Sequence, residues 1–388
     1  MDEFANLRGC EAAFPEAEFA ARQMAARAAI AAAGHDALVV TGPEAIYWLT
    51  GRQTAGYFAF QALVLPVKGE PALLVRQLEL PGAAANTWLD DIQAYPDGTD
   101  PADALAALVR RRGFARPALE RDGWFVSPAL AARIGMALGI DPIPDGSGLL
   151  GPLRTVKSAI ELKAIRAAAR YAQAGLAAGI AACTVGNDEN AVAAAMLAAA
   201  TTAGSEAMAM EPLISSGPRS GLPHMTWRRR RLEAGDAVFL ELAGSHARYH
   251  AALMRSVWIG EPPSEARRMM DCALRALDAA LDAIRPGRPC SVPHEAAQAI
   301  IDAAGYGPAF RKRIGYSMGI AFAPDWGEGG LLSLFTGVDR PIEPGMVFHL
   351  PATLRRYGAW TVGASETVIV TKHGAEPLSD LPRALTLR

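Results

Sequence analysis

Cysteine is scarce. The 388 residues hold 4, Cys10, Cys183, Cys272 and Cys290, too widely separated for a C-x-x-C pair or a metal-ligand spacing. That excludes a disulfide framework and a zinc ribbon, and sparse thiols suit a reducing compartment. Neither sign of charge dominates: 38 basic against 40 acidic side chains leave a formal net charge of −2. Such a balance supplies no bulk attraction to nucleic acid or to an anionic membrane. The densest basic run, Arg228 to Arg231 beside Trp227, reads as a solvated turn or strand end. Long uninterrupted apolar runs are also missing. Alanine-rich Ala167 to Ala182 carries Arg170 and Gln173, so it reads as a packed helix and not as a membrane span. The start, Met1-Asp2-Glu3-Phe4, is acidic and lacks the basic-then-apolar layout of a leader. A cytoplasmic protein is therefore expected. There is no low-complexity tail and no short-period repeat.

What is present suffices for two cores. Hydrophobic residues make up 51% and charged ones 20%, and the length exceeds one ordinary domain. Helices are expected over Pro15 to Ala33, Asp103 to Arg112 and Pro128 to Leu138. Strands are expected over Ala37 to Val40, Ala62 to Pro66, Pro71 to Val75 and Pro117 to Arg121. This alternation indicates an α/β unit over residues 1–152. A boundary falls near Gly151-Pro152-Leu153-Arg154. Beyond it, Ser158 with Glu161 three positions later forms a capping-box signature for a helix over Ala159 to Ala181. A helix from Glu189 to Thr202 follows. Strands Ala237 to Leu242 and Ala252 to Ile259 are expected around a turn containing Gly244. Helices Ser264 to Ile284 and Val292 to Ala304 come next, then short strands at Val347 to Leu350, Trp360 to Val362 and Thr367 to Val370. Helices first and strands later give residues 153–388 an α+β character with curved antiparallel sheet.

Several segments resemble, in order, the landmarks of the creatinase/prolidase family, whose catalytic domain has the pita-bread fold. They are Leu153 to Leu162 (LRTVKSAIEL), Ser216 to His224 (SGPRSGLPH), Glu233 to Val238 (EAGDAV), Ile342 to Phe348 (IEPGMVF) and Glu366 to Thr371 (ETVIVT). Tyr47 to Gly51 (YWLTG) is similar to a strand of the family's first domain. Metal-dependent members hold two divalent ions with two aspartates, a histidine and two glutamates. The resemblance aligns those positions with Glu241, Ala252, Tyr316, Pro351 and Glu366. Alanine and proline offer no side-chain donor, and two carboxylates do not enclose a pair of cations. No metal and no cofactor are expected. The chain also resembles the metal-free branches of the family, creatinase and ectoine hydrolase. The second likeness runs through Glu241 to Gly244 (ELAG), Arg248-Tyr249-His250 with Leu253 and Arg255, and Gly315 to Gly319 (GYSMG) on to Pro324 to Glu328 (PDWGE).

The resemblance implies hydrolysis of a non-peptide C–N bond in a small, polar, amino-acid-like molecule: a cyclic amidine, a guanidine or an amide. Such carbons become better electrophiles when protonated. A site for them needs carboxylates to hold the cation, a nucleophile and an acid for the departing nitrogen. Glu241, His224 and Glu366 are the expected catalytic residues. Glu241 either attacks or polarises a water, His224 exchanges protons with the leaving nitrogen, and the two glutamates flank one carbon. Tyr316, His250, Arg255, His349, Trp326, Tyr57 and Phe58 are expected to bind substrate. His250 and His349 are equally readable as packed histidines, and Tyr316 as a packing tyrosine beside Trp326. Asp325, Trp326 and Glu328 form an aromatic-acidic loop suited to capping a cation. Arg255 either binds a substrate carboxylate or holds Glu241, and the second is favoured. Tyr57 and Phe58 occupy the loop that related dimers insert into a neighbour, which implies a homodimer. Two rival readings stand beside this one: an Xaa-Pro metallopeptidase, and a binding protein that keeps the fold without catalysis.

Overall fold

The protein, as a computed structural model, is described over residues 4–388. Met1 to Glu3, read above as part of an acidic start, lie outside the described residues. The chain divides into two compact units, Met1–Arg154 and Thr155–Arg388.

The first unit runs α1 (Glu16–Ala32), β1 (Ala37–Val40), α2 (Pro43–Thr50), β2 (Ala62–Pro66), β3 (Ala72–Arg76), α3 (Leu80–Asn86), β4 (Asp91–Tyr95), α4 (Pro101–Arg112), β5 (Pro117–Leu119), α5 (Pro128–Leu138) and α6 (Gly151–Arg154). A five-stranded sheet has the order β4-β3-β2-β1-β5. Its two outer pairs, β3–β4 and β1–β5, are parallel and the rest antiparallel. Leu105, Leu108 and Ile134 of the helices bury against Val39, Val64 and Leu74 of the strands. The Tyr47 to Thr50 segment is a helix, not the strand expected. Pro43 opens α2 with its fixed φ, and Gly51 closes it at φ 83 as a left-handed cap. In the loop that follows, Tyr57 meets Phe125 edge-on at 5.7 Å between ring centroids. Phe58 is 78% exposed.

The second unit runs α7 (Ala159–Ala182), α8 (Glu189–Thr202), β6 (Leu213–Ser216), β7 (Ala237–His246), β8 (Tyr249–Trp258), α9 (Ser264–Ala283), α10 (Val292–Ala303), β9 (Gly315–Ser317), β10 (Ser333–Leu334), β11 (Val347–Arg356), β12 (Trp360–Thr371), β13 (Gly374–Pro377) and β14 (Thr386–Leu387). Both halves of the capping box are formed: Ser158 Oγ accepts from the Glu161 amide and the Glu161 carboxylate accepts from the Ser158 amide. The strands make one nine-stranded sheet, ordered β10-β9-β11-β12-β8-β7-β6 with β13 on β12 and β14 on β8.

Period-two alternation gives this sheet two unlike faces. Leu240, Leu242, Leu253 and Val257 pack against Leu176 of α7 and Met196 of α8. Phe348, Leu350, Val362, Ala364 and Val368 pack against Ala273 and Leu277 of α9. Each such buried leucine or phenylalanine contributes about 1.5–3 kcal/mol relative to exposure. Ala364 pairs with Arg255, and Arg255 with Leu240, so both helix pairs cover the same face. The residues between these apolar positions turn to the opposite face.

Two expectations are corrected here. The β7–β8 turn is Ala247-Arg248, at φ 48 and 62, a two-residue hairpin of the primed kind. It does not contain Gly244, which lies inside β7. That glycine serves packing: a Cβ there would stand 2.2 Å from the Ala168 carbonyl oxygen of α7. The short strands expected near the C-terminus are two long ones, β11 and β12, paired from Val347↔Ile369 to Arg356↔Trp360. Pro351 does not break β11. It lies beyond the last pairing with β9 at His349 and Phe348, where no ladder amide is needed.

Candidate active site

Glu241, at the middle of β7, points away from the helices. Its strand partner is Met254. Tyr316 pairs with His349, and Pro351 with Ser365, so alternation puts Tyr316, His349, Pro351, Arg355 and Ser365 on the same face as Glu241. Glu241 is only 7% exposed. Among the described residues its carboxylate accepts no hydrogen bond, and His349 Nε2 lies 3.9 Å from Oε1. Burial pushes the Glu241 carboxyl above the usual carboxylate range, while Lys312 and Arg355 pull it back. Keeping a buried carboxylate without donors costs free energy, which makes the position a candidate for a functional site.

A hydrogen-bonded chain runs beside it. The Met254 amide donates to Ser365 Oγ at 2.8 Å, which lies 2.7 Å from His349 Nε2. His349 Nδ1 lies 3.0 Å from the Tyr316 hydroxyl, and Trp326 Nε1 donates to that hydroxyl at 3.0 Å. The buried His349 imidazole is neutral at ordinary pH: burial first, then Lys312 and Arg255, lower its pKa to about 3. A neutral ring gives one donor and one acceptor. The amide, the indole, the imidazole and the two hydroxyls bring one more hydrogen than these contacts use. Whichever tautomer holds, one hydroxyl proton, on Tyr316 or on Ser365, stays available on the Glu241 face. Burial, followed by the Glu241 charge, pushes the Tyr316 phenol well above its ordinary range, so it stays a donor.

Two cations complete the group, and neither drew notice in the sequence. Lys312 Nζ donates to the Pro351 carbonyl at 2.6 Å. Burial lowers the Lys312 pKa, Arg355 lowers it further and Glu241 opposes both. Arg355 sits with its guanidinium carbon 6.0 Å from the Phe239 ring centre. Arg355 was within reach of sequence reasoning, because counting by twos from His349 along one strand arrives at it. Ser365 is on the neighbouring strand, so only the pairing Pro351↔Ser365 places it. Lys312 lies in the segment before β9 and carries no periodic signal.

Of the other expected site residues, Glu366 lies on the opposite face and none makes a hydrogen bond to Glu241 among the described residues. Glu366 is fully buried on the helix-covered face, opposite to Glu241. Its Oε1 accepts from Arg255 Nη2 at 2.8 Å and lies 3.3 Å from Arg383 Nε. The two glutamates therefore do not flank one carbon: adjacent strand positions face opposite ways, and Ser365 is the one that shares the Glu241 face. Arg255 holds Glu366 rather than Glu241. It also donates to the Ser365, Leu381 and Pro382 carbonyls, tying down the C-terminal segment. His250 is buried, with Nδ1 on the Arg248 carbonyl at 2.9 Å and Nε2 accepting from the Ala209 amide at 3.1 Å. Both its nitrogens are engaged, and burial lowers its pKa to about 4. His224 is exposed on its loop at φ 55 and among the described residues makes no hydrogen bond or ion pair with Glu241. The aromatic-acidic loop is not an open cap. Trp326 is buried on Tyr316, and Glu328 forms a buried pair with Lys157 at 2.7 Å. Tyr57 and Phe58 belong to the first unit.

Comparison with known proteins places this geometry in a lineage. Residues 163–372 match metallopeptidase family M24, and residues 22–156 match the creatinase/prolidase N-terminal domain. The chain belongs to family M24. It is 28% identical to the ectoine hydrolase of Halomonas elongata, over 97% of this chain and 98% of that one. It is 30% identical to the probable dipeptidase PepE of Mycobacterium tuberculosis, over 95% and 97%. Among solved structures it superposes on dipeptidase PepE from Mycobacterium ulcerans with a TM-score of 0.82 at 28% identity, over 96% of this chain and 99% of that one. The prolidase from Pyrococcus horikoshii gives 0.83 at 21% identity, over 94% and 99%. The architecture is thus the two-domain one of creatinase and prolidase, with a pita-bread C-terminal domain.

The family's name implies a metal, and the side chains present do not fit one. Among the described residues no three His, Cys, Asp or Glu side chains cluster as ligands would. Beside Glu241 stand Ala252 and Pro351 without donors, a neutral phenol, an engaged serine and two cations. Lys312 and Arg355 stand near enough to Glu241 to pull its pKa down.

Proposed function

We propose that this M24 protein is a hydrolase that opens a non-peptide C–N bond, in an amidine, guanidine or amide, without a metal. The observation that carries the reading is Glu241: a buried carboxylate without a hydrogen bond, facing two cations where a ligand cluster would be needed for metal chemistry. Likeness over nearly the whole chain to an ectoine hydrolase supports it. In this reading Glu241 engages the electrophilic carbon, either directly or through a water. The spare hydroxyl proton of the Tyr316–His349–Ser365 chain steadies the developing charge. Lys312, whose proton burial loosens, is the nearest acid for the departing nitrogen. The catalytic set is therefore Glu241, Lys312 and whichever of Tyr316 and Ser365 carries the spare proton, with His349 joining the two hydroxyls, and Glu366 has no part in it.

The test is turnover of ectoine, creatine and simple N-acyl amino acids by the wild type and by Glu241→Gln. Wild-type turnover that Glu241→Gln abolishes supports the proposal; turnover indifferent to that change overturns the role of Glu241. A dipeptidase reading draws on the 30% identity to PepE, so Xaa-Pro dipeptides belong in the same panel. Metal-dependent cleavage of these alone would install that reading instead.

A further inference from the structure

We infer that Arg355 anchors a carboxylate of the substrate, so that the site selects a molecule with a cationic C–N group at one end and a carboxylate at the other. The inference rests on the reading of Glu241 given above and adds the chemistry of the second end.

Arg355 lies at the end of β11 on the Glu241 face. Its Nε is buried and has no hydrogen-bond partner among the described residues. Its one hydrogen bond is a long one, 3.4 Å from Nη1 to Thr353 Oγ1. A guanidinium presents five N–H donors in a rigid fork, and leaving them unmade out of water costs free energy. Phe239 supplies the platform under the guanidinium. It stands two residues before Glu241 on the same strand, about 7 Å along it. Arg355 and Glu241 are therefore neighbours that sense each other's charge, yet no hydrogen bond joins them. Each is left with unused capacity of opposite sign, and a ligand carrying both charges satisfies both at once. The fork matches the planar, bidentate geometry of a carboxylate.

Binding can be read apart from turnover in the Glu241→Gln background, which keeps the shape of the side chain. The probes are ectoine, creatine and 4-guanidinobutanoate, each paired with its carboxamide. Without any further substitution, at least one carboxylate should bind roughly 10- to 100-fold more tightly than its amide, the range of a charge-assisted pair. Adding Arg355→Met should remove that preference by weakening the acid and leaving the amide unchanged, and Arg355→Lys should restore part of it. If no acid outbinds its amide, or if Arg355→Met weakens both alike, the inference falls. Its failure is distinct from failure of the proposed function, which would show as turnover persisting in Glu241→Gln.

Discussion

Two glutamates on strands of one sheet with a single strand between them have opposite fates. Glu241 looks away from the helices, has no hydrogen bond and is held near cations it does not touch. Glu366 looks toward the helices and is clasped by Arg255 and Arg383. Burial raises the pKa of both carboxyls. What differs is pairing: Glu366 has two ionic partners on Oε1 although its buried Oε2 has none, whereas Glu241 has no hydrogen bond on either oxygen among the described residues. Burial alone does not single out a candidate; a buried carboxylate with no ion pair to an arginine or lysine is the better one.

Conservative exchange at the two positions should separate them most sharply. Glu241→Gln should lower kcat by roughly 10³-fold or more while the melting temperature holds or rises, since a buried, unsatisfied charge is removed. Glu366→Gln should do the reverse. It strands Arg255 in the sheet at a cost of about 3–5 kcal/mol, seen as a melting temperature lower by on the order of 10 °C, with kcat of the folded fraction preserved. Equal loss of kcat in both variants would erase the contrast.

Tyr316→Phe removes the hydroxyl that joins His349 to Trp326 and should reduce kcat/KM by roughly 5- to 100-fold with KM little changed, measured on the best substrate of the panel. The charge around Glu241 can be tested by pH. Glu241 must be ionised to act, so activity should climb as pH rises through a value above the ordinary carboxylate range. Lys312 holds that value down, and Lys312→Met should move the acid limb of kcat/KM to higher pH. An unmoved limb would detach Lys312 from Glu241.

The smallest effect concerns acid stability. His250 and His349 have folded pKa values lowered to about 4 and about 3, below the roughly 6.5 of an unfolded histidine. The unfolded chain then binds protons that the native one refuses. The stability these rings contribute is complete above about pH 6.5 and is lost as pH falls toward the folded values, at up to about 1.4 kcal/mol per pH unit for each ring. Denaturant titrations between pH 7 and pH 4 should show that slope, and His250→Gln should flatten it.

Much of this was legible in the sequence where a local rule decides. The capping box at Ser158 and Glu161 announced the start of α7, and ordered landmarks announced the sheet. Tyr47 to Thr50 misled because an apolar run ending in glycine suits a strand end and a helix C-cap equally. Gly244 misled because a glycine needed for a helix to approach looks the same in sequence as one needed for a turn. Glu366 misled for a more instructive reason. A strand motif fixes its neighbourhood, but a slip of one residue inverts the face, and only the register Leu350↔Glu366 and Pro351↔Ser365 decides which side chain enters the site. Lys312 reaches the site by tertiary folding alone, which no local pattern encodes.

The central claim is that Glu241 acts with a lysine and an arginine where the name of the family implies metal ions. The most direct measurement is the metal content of the purified enzyme, taken together with turnover in excess chelator. Substoichiometric metal and undiminished turnover are the result this account predicts. Stoichiometric divalent metal, with activity lost to chelator and restored by adding the ion back, would contradict it.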